Sequence, residues 1–249
     1  MQTKDSQVIA ASFTPVLDVF SQPLVHTPPV PQCEVCVIVP VRNEATTLTA
    51  TLSALANQID LNDQPLKRDR YEIILLANNC SDASVTIAEQ FRQQHLDLKL
   101  HIVERTLPLQ EAYIGRVRQM LMNEAYRRLN QLGRKHGVIA STDGDSQVSP
   151  TWLAATLQEI AWGADAVGGR ILLDRAGLAR LAPYVRLCHL REVGYRSLIA
   201  ELESYLDPDS YDRAPRHFQH YGASFAVTAE IYARAGGLPL VRTPEDVAL

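Results

Sequence analysis

The chain has 249 residues, of which 46% are hydrophobic and 21% are charged, and its formal net charge is −4. This is ordinary globular composition with enough apolar side chains for a sizeable core, so it excludes disorder of the whole chain. The acidic balance gives no basic footprint for nucleic acid, and we expect a locally basic stretch at 116–135 to be the solvated face of a helix.

The first 32 residues contain several prolines, which remove hydrogen bonds from helices and strands alike. They are Pro15, Pro23, Pro28, Pro29 and Pro31. We therefore predict an extended or disordered N-terminal segment over 1–32, followed by one folded domain over 33–249.

The first predicted strand runs from Glu34 to Val41 as a nearly continuous β-branched segment. Such a segment is typical of a strand that is covered on both faces in a parallel sheet. Arg42, Asn43 and Glu44 follow at its carboxyl end, and a helix through Gln58 completes a βα unit.

Four cysteines in a chain of this length do not predict a disulfide framework. Cys33 and Cys36 have the spacing of zinc ligands, but no second pair accompanies them and Cys36 falls inside the predicted strand. Metal binding there is not expected.

A second buried strand is predicted over 71–77, with an exit loop from Asn78 to Asp82 that caps the next helix. A third strand over 98–103 and a long helix over 111–132 follow. This alternation of strands and helices predicts right-handed crossovers and a mostly parallel sheet flanked by helices.

The fourth strand, 138–141, leads into two acids separated by a glycine, Asp143, Gly144 and Asp145. Isolated in a chain, such a triplet is most often an acidic surface turn. Here it follows a strand at the edge where open α/β sheets bind ligands. Two hard carboxylates suit Mg²⁺ or Mn²⁺ shared with substrate phosphates, and the glycine permits a tight turn. Three polar exit loops are thus expected to meet at one sheet edge.

The second half continues with a strand over 164–172 that contains Gly168 and Gly169, which indicate either a close approach by a ligand or backbone, or a bulge. A helix over 181–206 begins a tyrosine-rich region. Its tyrosines could stack on a sugar or lipid, but we expect this aromatic stripe to pack in the core. A metal site at His217 and His220 is not expected.

The last elements are a strand over 221–227, a helix over 229–235 and an acidic pair, Glu245 and Asp246, behind Pro244. Acids behind a proline are typical of a helix start, where they complement the dipole. They are also candidates for a chemical role.

With these loops in place, residues 33–249 resemble a family 2 glycosyltransferase of the GT-A fold, a Rossmann-like α/β domain. Two motifs resemble the family's nucleotide-binding half: Val37–Glu44 is similar to its opening strand and nucleotide-binding turn, and Asn78–Asp82 is similar to its second loop. Thr142–Asp145 is similar to its DxD motif. The acceptor-side segment of the family, which ends in Glu-Asp, is matched by Gly222, Gly236–Pro239 and Glu245–Leu249.

The resemblance implies a metal-dependent, inverting transfer of a sugar, of the hexosyltransferase type, from a nucleoside-diphosphate sugar to an acceptor hydroxyl on a saccharide, lipid or small molecule. It places Asp143 on ribose or metal, Asp145 on Mn²⁺ or Mg²⁺, and Asp246, with Glu245 beside it, as general base. The side chains that it assigns to the nucleoside pocket are Pro40, Asn43, Glu44, Asn78 and Asp82. Because the chain stops directly after the Glu-Asp motif, the domain is expected to be incomplete at its C-terminus.

Two other functions remain open from the sequence. One is a catalytically inactive domain that binds sugar nucleotides or acts as a scaffold. The other is a sugar-phosphate nucleotidyltransferase, although Arg42–Glu44 lacks the glycine that usually cradles a triphosphate. A dehydrogenase is disfavoured because no Gly-x-Gly-x-x-Gly follows a strand. The sequence specifies neither donor, acceptor nor oligomeric state.

No stretch of about 20 apolar residues is present, and the N-terminus lacks a basic region followed by an apolar one. We therefore expect no transmembrane segment and a cytoplasmic location, with association to the inner membrane face through a lipid acceptor left open.

Overall fold

The structure is a computed structural model that describes residues 22–208, 212, 214–219 and 221–240. Glu245, Asp246 and His220 lie outside the described residues, as do residues 1–21 of the predicted N-terminal segment.

One six-stranded sheet organises the described residues, and helices lie against it. The strands are β1 (Val35–Val41), β2 (Tyr71–Asn78), β3 (Leu100–Arg105), β4 (Val138–Thr142), β5 (Ala166–Gly168) and β6 (Ser224–Thr228). The helices are α1 (Leu48–Ala56), α2 (Ser84–Gln94), α3 (Ile114–Gln131), α4 (Trp152–Ala161), α5 (Arg175–Arg180), α6 (Pro183–Leu206) and α7 (Ala229–Arg234), and a 3₁₀ turn spans Arg68–Arg70.

The strand order is β3-β2-β1-β4-β6-β5. The first four strands pair in parallel, whereas β6 pairs antiparallel with β4 on one side and with β5 on the other. The prediction of a mostly parallel α/β sheet is confirmed. The single antiparallel strand was not predicted, because strand direction leaves no mark on the local hydrophobic pattern.

Side chains of β1 alternate between two apolar layers, one on each face of the sheet. Val37 and Val39 belong to the layer that includes Leu52 of α1, and Ile38 belongs to the layer that includes Leu121 of α3. Every residue of β1 and β2 is buried. Both strands are therefore covered on both faces, as their continuous apolar sequence predicts.

Residues 22–32 pack against α3, carrying bends and a turn. The backbone N–H of Leu24 donates to Glu124 Oε2 at 3.1 Å, and Arg127 Nη2 donates to the carbonyl of Val25 at 3.0 Å. Val25 is itself buried in the layer on that side of the sheet. Residues 22–32, the described part of the predicted N-terminal segment, are thus held against the domain by hydrogen bonds.

A buried ion pair joins β2 to α3. The Nη2 atom of Arg128 lies 2.6 Å from Glu72 Oε2, and neither side chain is exposed. Burial alone would raise the pKa of Glu72, but hydrogen bonds from His101 and the Val30 N–H, together with the Arg128 charge, hold that pKa below its ordinary value. The expectation that the basic stretch at 116–135 is the solvated face of a helix is wrong for Arg118 and Arg128. Both side chains are buried against acids from other parts of the chain.

The aromatic stripe of α6 faces away from the rest of the described structure. Tyr184 is 76% exposed, Tyr195 65% and Tyr205 83%, whereas Ala200 is the one buried residue of this helix among those described. The expectation of a core stripe is wrong. Helical spacing shows which side chains share a face, but it does not show what that face meets.

Strands β5 and β6 are shorter than predicted because other hydrogen bonds replace the strand ladder. Both backbone groups of Ile171 bond to the side-chain amide of Gln219, and a turn from Tyr221 to Ser224 precedes β6. Among the helices that the structure describes, none is both long enough and apolar enough to cross a membrane.

Candidate functional site

Three polar loops lie at the carboxyl ends of β1, β2 and β4. These strands are neighbours and run in parallel, with Val41 opposite Ala77 and Val35 opposite Val138. The loops therefore share one edge of the sheet, where ligands of open α/β folds bind.

Hydrogen bonds between backbone and side-chain groups join the first two loops. The backbone N–H of Ser81 donates to Asn43 Oδ1 at 2.8 Å, that of Glu44 donates to Ser84 Oγ at 2.8 Å, and that of Ala45 donates to Asp82 Oδ2 at 2.9 Å. Each bond joins a backbone group of one loop to a side chain of the other segment. The two loops therefore form one wall of the site, held together by these bonds.

Two asparagines in these loops adopt left-handed backbone conformations, with φ of 61° at Asn43 and 50° at Asn79. Asparagine accepts this region more readily than most residues with a Cβ atom. The Asn79 side chain donates to the carbonyl of Leu107 at 2.9 Å and accepts from the Leu107 N–H at 3.0 Å. These side chains thus stabilise the sharp turn by which each strand leaves the sheet.

Asp82 is an exposed acid whose oxygens are occupied by local donors. The Ser84 hydroxyl donates to Oδ1 at 2.6 Å and the Ser84 N–H at 3.0 Å. These bonds, with that from Ala45, hold the pKa of Asp82 below its ordinary value. Asp82 therefore stays ionised at neutral pH and fixes the first loop against the second.

The third loop carries the two acids around Gly144. A Cβ atom added at Gly144 would lie 3.1 Å from Glu44 Cγ and 3.1 Å from Val41 Cγ2, and the Thr51 hydroxyl donates to its carbonyl at 2.9 Å. A side chain at this position would be tightly packed, because the third loop lies directly on the first. Asp145 on its far side is exposed.

Asp143 is partly buried and pairs with a basic residue from α3. Its Oδ1 accepts from Arg118 Nη2 at 2.9 Å, and the side chains are 35% and 6% exposed respectively. Sequence reasoning missed Arg118, because its partner lies 25 residues away in the chain and in another element. Only the position of its helix beside the site could have indicated it.

Three buried side-chain oxygens near these loops have no hydrogen-bond partner among the described residues: Asn78 Oδ1, Ser141 Oγ and Thr142 Oγ1. Buried polar atoms are usually satisfied, so each such atom in a native structure needs an explanation. The carboxylates of Asp143 and Asp145 in the third loop are hard oxygen ligands, the chemistry that Mg²⁺ and Mn²⁺ prefer. The residues present at this edge fit such an ion.

Gly169, the residue directly after β5, lies in close contact with Ser224 at the start of β6. A Cβ atom on Gly169 would lie 2.9 Å from the Ser224 Cβ and closer still to its hydroxyl, and Trp152 Nε1 donates to that hydroxyl at 3.1 Å. His217 Nε2 lies 3.0 Å from the carbonyl of Gly168. The sequence left open whether these glycines indicate a close approach or a bulge. Close approach by the neighbouring strand accounts for Gly169.

Among the described residues, the one cluster of three potential metal-ligating side chains lies elsewhere, at Cys33, Cys36 and Glu72. Their ligand atoms lie within 4.8 Å of one another, but the Glu72 oxygens are occupied by Arg128 and by the Val30 N–H. A hydrogen bond with Cys33 and burial raise the pKa of the Cys36 thiol well above its ordinary value. A protonated thiol beside a neutralised carboxylate is a poor metal site.

The predicted site residues within the described range thus fall into two groups. Pro40 is buried at the end of β1, and Asn78 is buried at the end of β2. The others are in the three loops: Asn43, Glu44, Asp82, Asp143 and Asp145. The structure brings all of them to one edge, while Glu245 and Asp246 lie outside the described residues.

Comparison with known proteins gives matches in family and in fold. Residues 36–210 match the model of Glycosyl transferase family 2. Among solved structures, TarS 1-349 of S. aureus superposes with a TM-score of 0.53 and 16% identity, over 86% of this chain and 52% of that chain. The mannosyltransferase PcManGT from Pyrobaculum calidifontis, in complex with GDP-Man and Mn²⁺, gives a TM-score of 0.51 and 22% identity, over 91% and 54%.

These structural matches concern the fold, because their sequence identity is low. The chain spans about half the length of both structures. No curated protein matches the chain significantly in sequence.

Proposed function

Because the chain belongs to glycosyl transferase family 2, we propose that its three converging loops bind a nucleoside-diphosphate sugar with Mn²⁺ or Mg²⁺, and that it transfers the sugar with inversion to an acceptor hydroxyl. The observation that carries this proposal is the placement of two hard carboxylates, Asp143 and Asp145, beside a wall of two interlocked loops at the ligand-binding edge of the sheet.

The first two loops supply the pocket for the nucleoside. Asn43, Glu44 and Asp82 lie where the chain leaves β1 and β2, and their positions are fixed by the bonds between the loops. Pro40 supplies the carbonyl against which Gly144 packs, and Asn78 places a buried amide oxygen at the end of β2. Fixed polar groups of this kind orient a ligand with little loss of entropy.

Asp145 and Asp143 would hold the metal ion. An ion at this position supplies Lewis-acid stabilisation of the negative charge that develops on the leaving diphosphate. The chain's own contribution is to keep the two carboxylates in place, through the contact of Gly144 with the first loop and the ion pair of Asp143 with Arg118. PcManGT, whose fold is similar, is described in complex with GDP-Man and Mn²⁺.

Asp246, with Glu245 beside it, would accept the proton of the acceptor hydroxyl as that oxygen attacks the anomeric carbon from the face opposite the diphosphate. A carboxylate within about 3 Å of the hydroxyl can do this. Attack from the opposite face inverts the configuration at that carbon.

We expect Asp246→Asn to lower turnover by at least about 100-fold while leaving nucleotide affinity unchanged, because the amide cannot accept the proton. The measurement is release of nucleoside diphosphate from the sugar donor, beside calorimetry of nucleotide binding. Glu245→Gln serves as the neighbouring control and should cost less. Unchanged turnover in Asp246→Asn, with donor binding intact, would assign the base to another group.

Thermal unfolding of the purified chain with UDP, GDP, TDP and CDP, each with and without Mn²⁺, tests the proposed function. A ligand that binds only the folded state stabilises it by about 2.7 kcal/mol at a concentration 100-fold above its Kd. We expect one nucleotide to raise the unfolding temperature in a metal-dependent manner. The proposal fails if none of the four produces a shift at millimolar concentration.

The same preparations separate the remaining alternatives. Metal-dependent nucleotide binding without turnover of any sugar donor would indicate a binding or scaffold domain. Release of pyrophosphate from a nucleoside triphosphate and a sugar phosphate would indicate a nucleotidyltransferase.

A further inference from the structure

Arg118 lies beneath the third loop, nearly enclosed by other elements. It projects from α3, its side chain is 6% exposed, and its Nη2 donates to Asp143 Oδ1 at 2.9 Å. Burying a guanidinium is costly unless a negative group compensates it. The arrangement therefore ties one of the two site acids to a helix that contributes neither acid.

Gly222, two residues before β6, lies against the same guanidinium. A Cβ atom added there would lie 2.6 Å from both Nε and Nη1 of Arg118, and the backbone φ is outside the left-handed region. The position therefore needs glycine for space and not for backbone conformation. The guanidinium fills the volume that a side chain at 222 would occupy.

We propose that Arg118 is a positioning residue of the donor site, one that fixes the Asp143 carboxylate in a single orientation, and that the glycine at position 222 leaves the space that its guanidinium needs. This inference rests on the proposed function. It adds a connection between the segment that leads into β6 and the acids that hold the metal, made through one side chain.

The physical basis is a balance of charge and geometry. Asp143 and Asp145 are two like charges separated by one residue, and a cation beside Asp143 reduces their mutual repulsion. Arginine suits the position because one terminal nitrogen reaches Asp143 while the rest of its rigid, planar head lies against Gly222. Lysine could supply the charge but has neither the planar shape nor the second terminal nitrogen.

A double-mutant cycle on nucleotide affinity tests the proposal. Arg118→Gln, Asp143→Asn and the double variant are compared by calorimetry in the presence of Mn²⁺, with the nucleoside diphosphate that stabilises the unmodified chain. Loss of a hydrogen bond to a charged group predicts about 10-fold to 100-fold weaker binding for each single variant. If Arg118 acts through Asp143, the double variant binds no more weakly than Asp143→Asn alone.

Three further variants sharpen this cycle. Arg118→Lys should recover part of the affinity lost in Arg118→Gln, because it restores the charge without the planar head. Gly222→Ala should weaken binding in the unmodified chain but not in the Arg118→Gln background, where the shorter side chain leaves room for the methyl group. Arg92→Gln makes the same chemical change at an exposed pair with Glu89 on α2 and should change nothing.

A second cycle needs no ligand. It compares the free energies of urea unfolding of the unmodified chain, Arg118→Gln, Asp143→Asn and the double variant. The effects of the two substitutions on stability should not be additive, because Arg118 and Asp143 contact each other in the folded chain. Should Arg118→Gln fail to fold, Arg118→Lys and Gly222→Ala carry the test in its place.

The outcomes separate this inference from the function on which it rests. Additive losses of affinity, or an Arg118→Lys variant no better than Arg118→Gln, overturn the positioning role while metal-dependent binding by the unmodified chain keeps the proposed function. An unmodified chain that binds none of the nucleotides overturns both.

Discussion

Replacing Asp145 with asparagine is expected to remove the metal dependence of nucleotide binding and to lower turnover about 1,000-fold. Asp145 is the exposed acid of the third loop, and it follows a glycine that lies directly on the first loop. Asparagine keeps the shape but removes the charge, and hard divalent cations prefer anionic oxygen. The measurements are nucleotide affinity with and without Mn²⁺ and release of nucleoside diphosphate from the donor.

The matched control is Asp97→Asn. Asp97 is also an exposed aspartate, paired with Arg68 at 2.7 Å near the amino end of β3, far along the strand from the site edge. Surface pairs of this kind contribute at most about 1 kcal/mol, so this variant should bind and turn over normally. Both variants should unfold close to the unmodified chain, since surface substitutions usually change stability by less than about 0.5 kcal/mol. Full Mn²⁺ dependence in Asp145→Asn would place the metal elsewhere.

Arg128→Met is expected to destabilise the fold by about 3–5 kcal/mol, since it leaves a buried carboxylate without its cation. Glu72 and Arg128 are both fully buried, and Arg128 also donates to the carbonyl of Thr27 at 2.8 Å. Such a loss is a large part of the roughly 5–15 kcal/mol that stabilises a typical domain. Urea unfolding of the variant measures it.

Two comparisons identify the cause. Arg68→Met removes an arginine from a surface pair and should cost less than about 1 kcal/mol. Adding Glu72→Leu to Arg128→Met should recover much of the loss, because two apolar side chains leave no buried charge. If the double variant is no more stable than Arg128→Met, lost packing and not the orphaned charge is responsible.

The pH dependence has a definite sign. The pKa of Glu72 is lowered in the folded chain, so its ionised form contributes stability above the ordinary glutamate pKa, and this contribution is lost as the pH falls through the lowered value. In Arg128→Met the unpaired carboxyl gains from protonation. The difference in free energy of unfolding between the unmodified chain and Arg128→Met should therefore become smaller as the pH falls. A difference that does not change with pH would contradict an ionised pair of Glu72 and Arg128.

Much of the site could be predicted because its placement follows from local pattern. The apolar segments that form β1 and β2 are continuous, and a strand covered on both faces must leave the sheet at its carboxyl edge through polar residues. Asp143 and Asp145 follow β4 directly, so topology alone brings them beside Asn43 and Glu44. Parallel pairing fixes that geometry without any knowledge of side-chain contacts.

The remaining features depend on contacts between distant segments. Arg128 meets Glu72 across 56 residues of sequence, and a basic stretch has the same sequence pattern whether its members are solvated or paired inside. The exposed aromatic side chains of α6 recur at the same helical spacing as side chains that pack in a core. The direction of β6 depends on where the preceding segment returns to the sheet, which no short pattern records.

The sheet order also bears on aggregation. Among the described residues, β3 and β5 form the two edges of the sheet, and a long, flat, apolar edge can recruit strands from other chains. At one edge β5 has only three residues. At the other, β3 is preceded by exposed Lys99 and ends in exposed Glu104 and Arg105. A short strand on one side and charged residues on the other oppose the addition of a foreign strand, and so protect the apolar centre of the sheet from self-association.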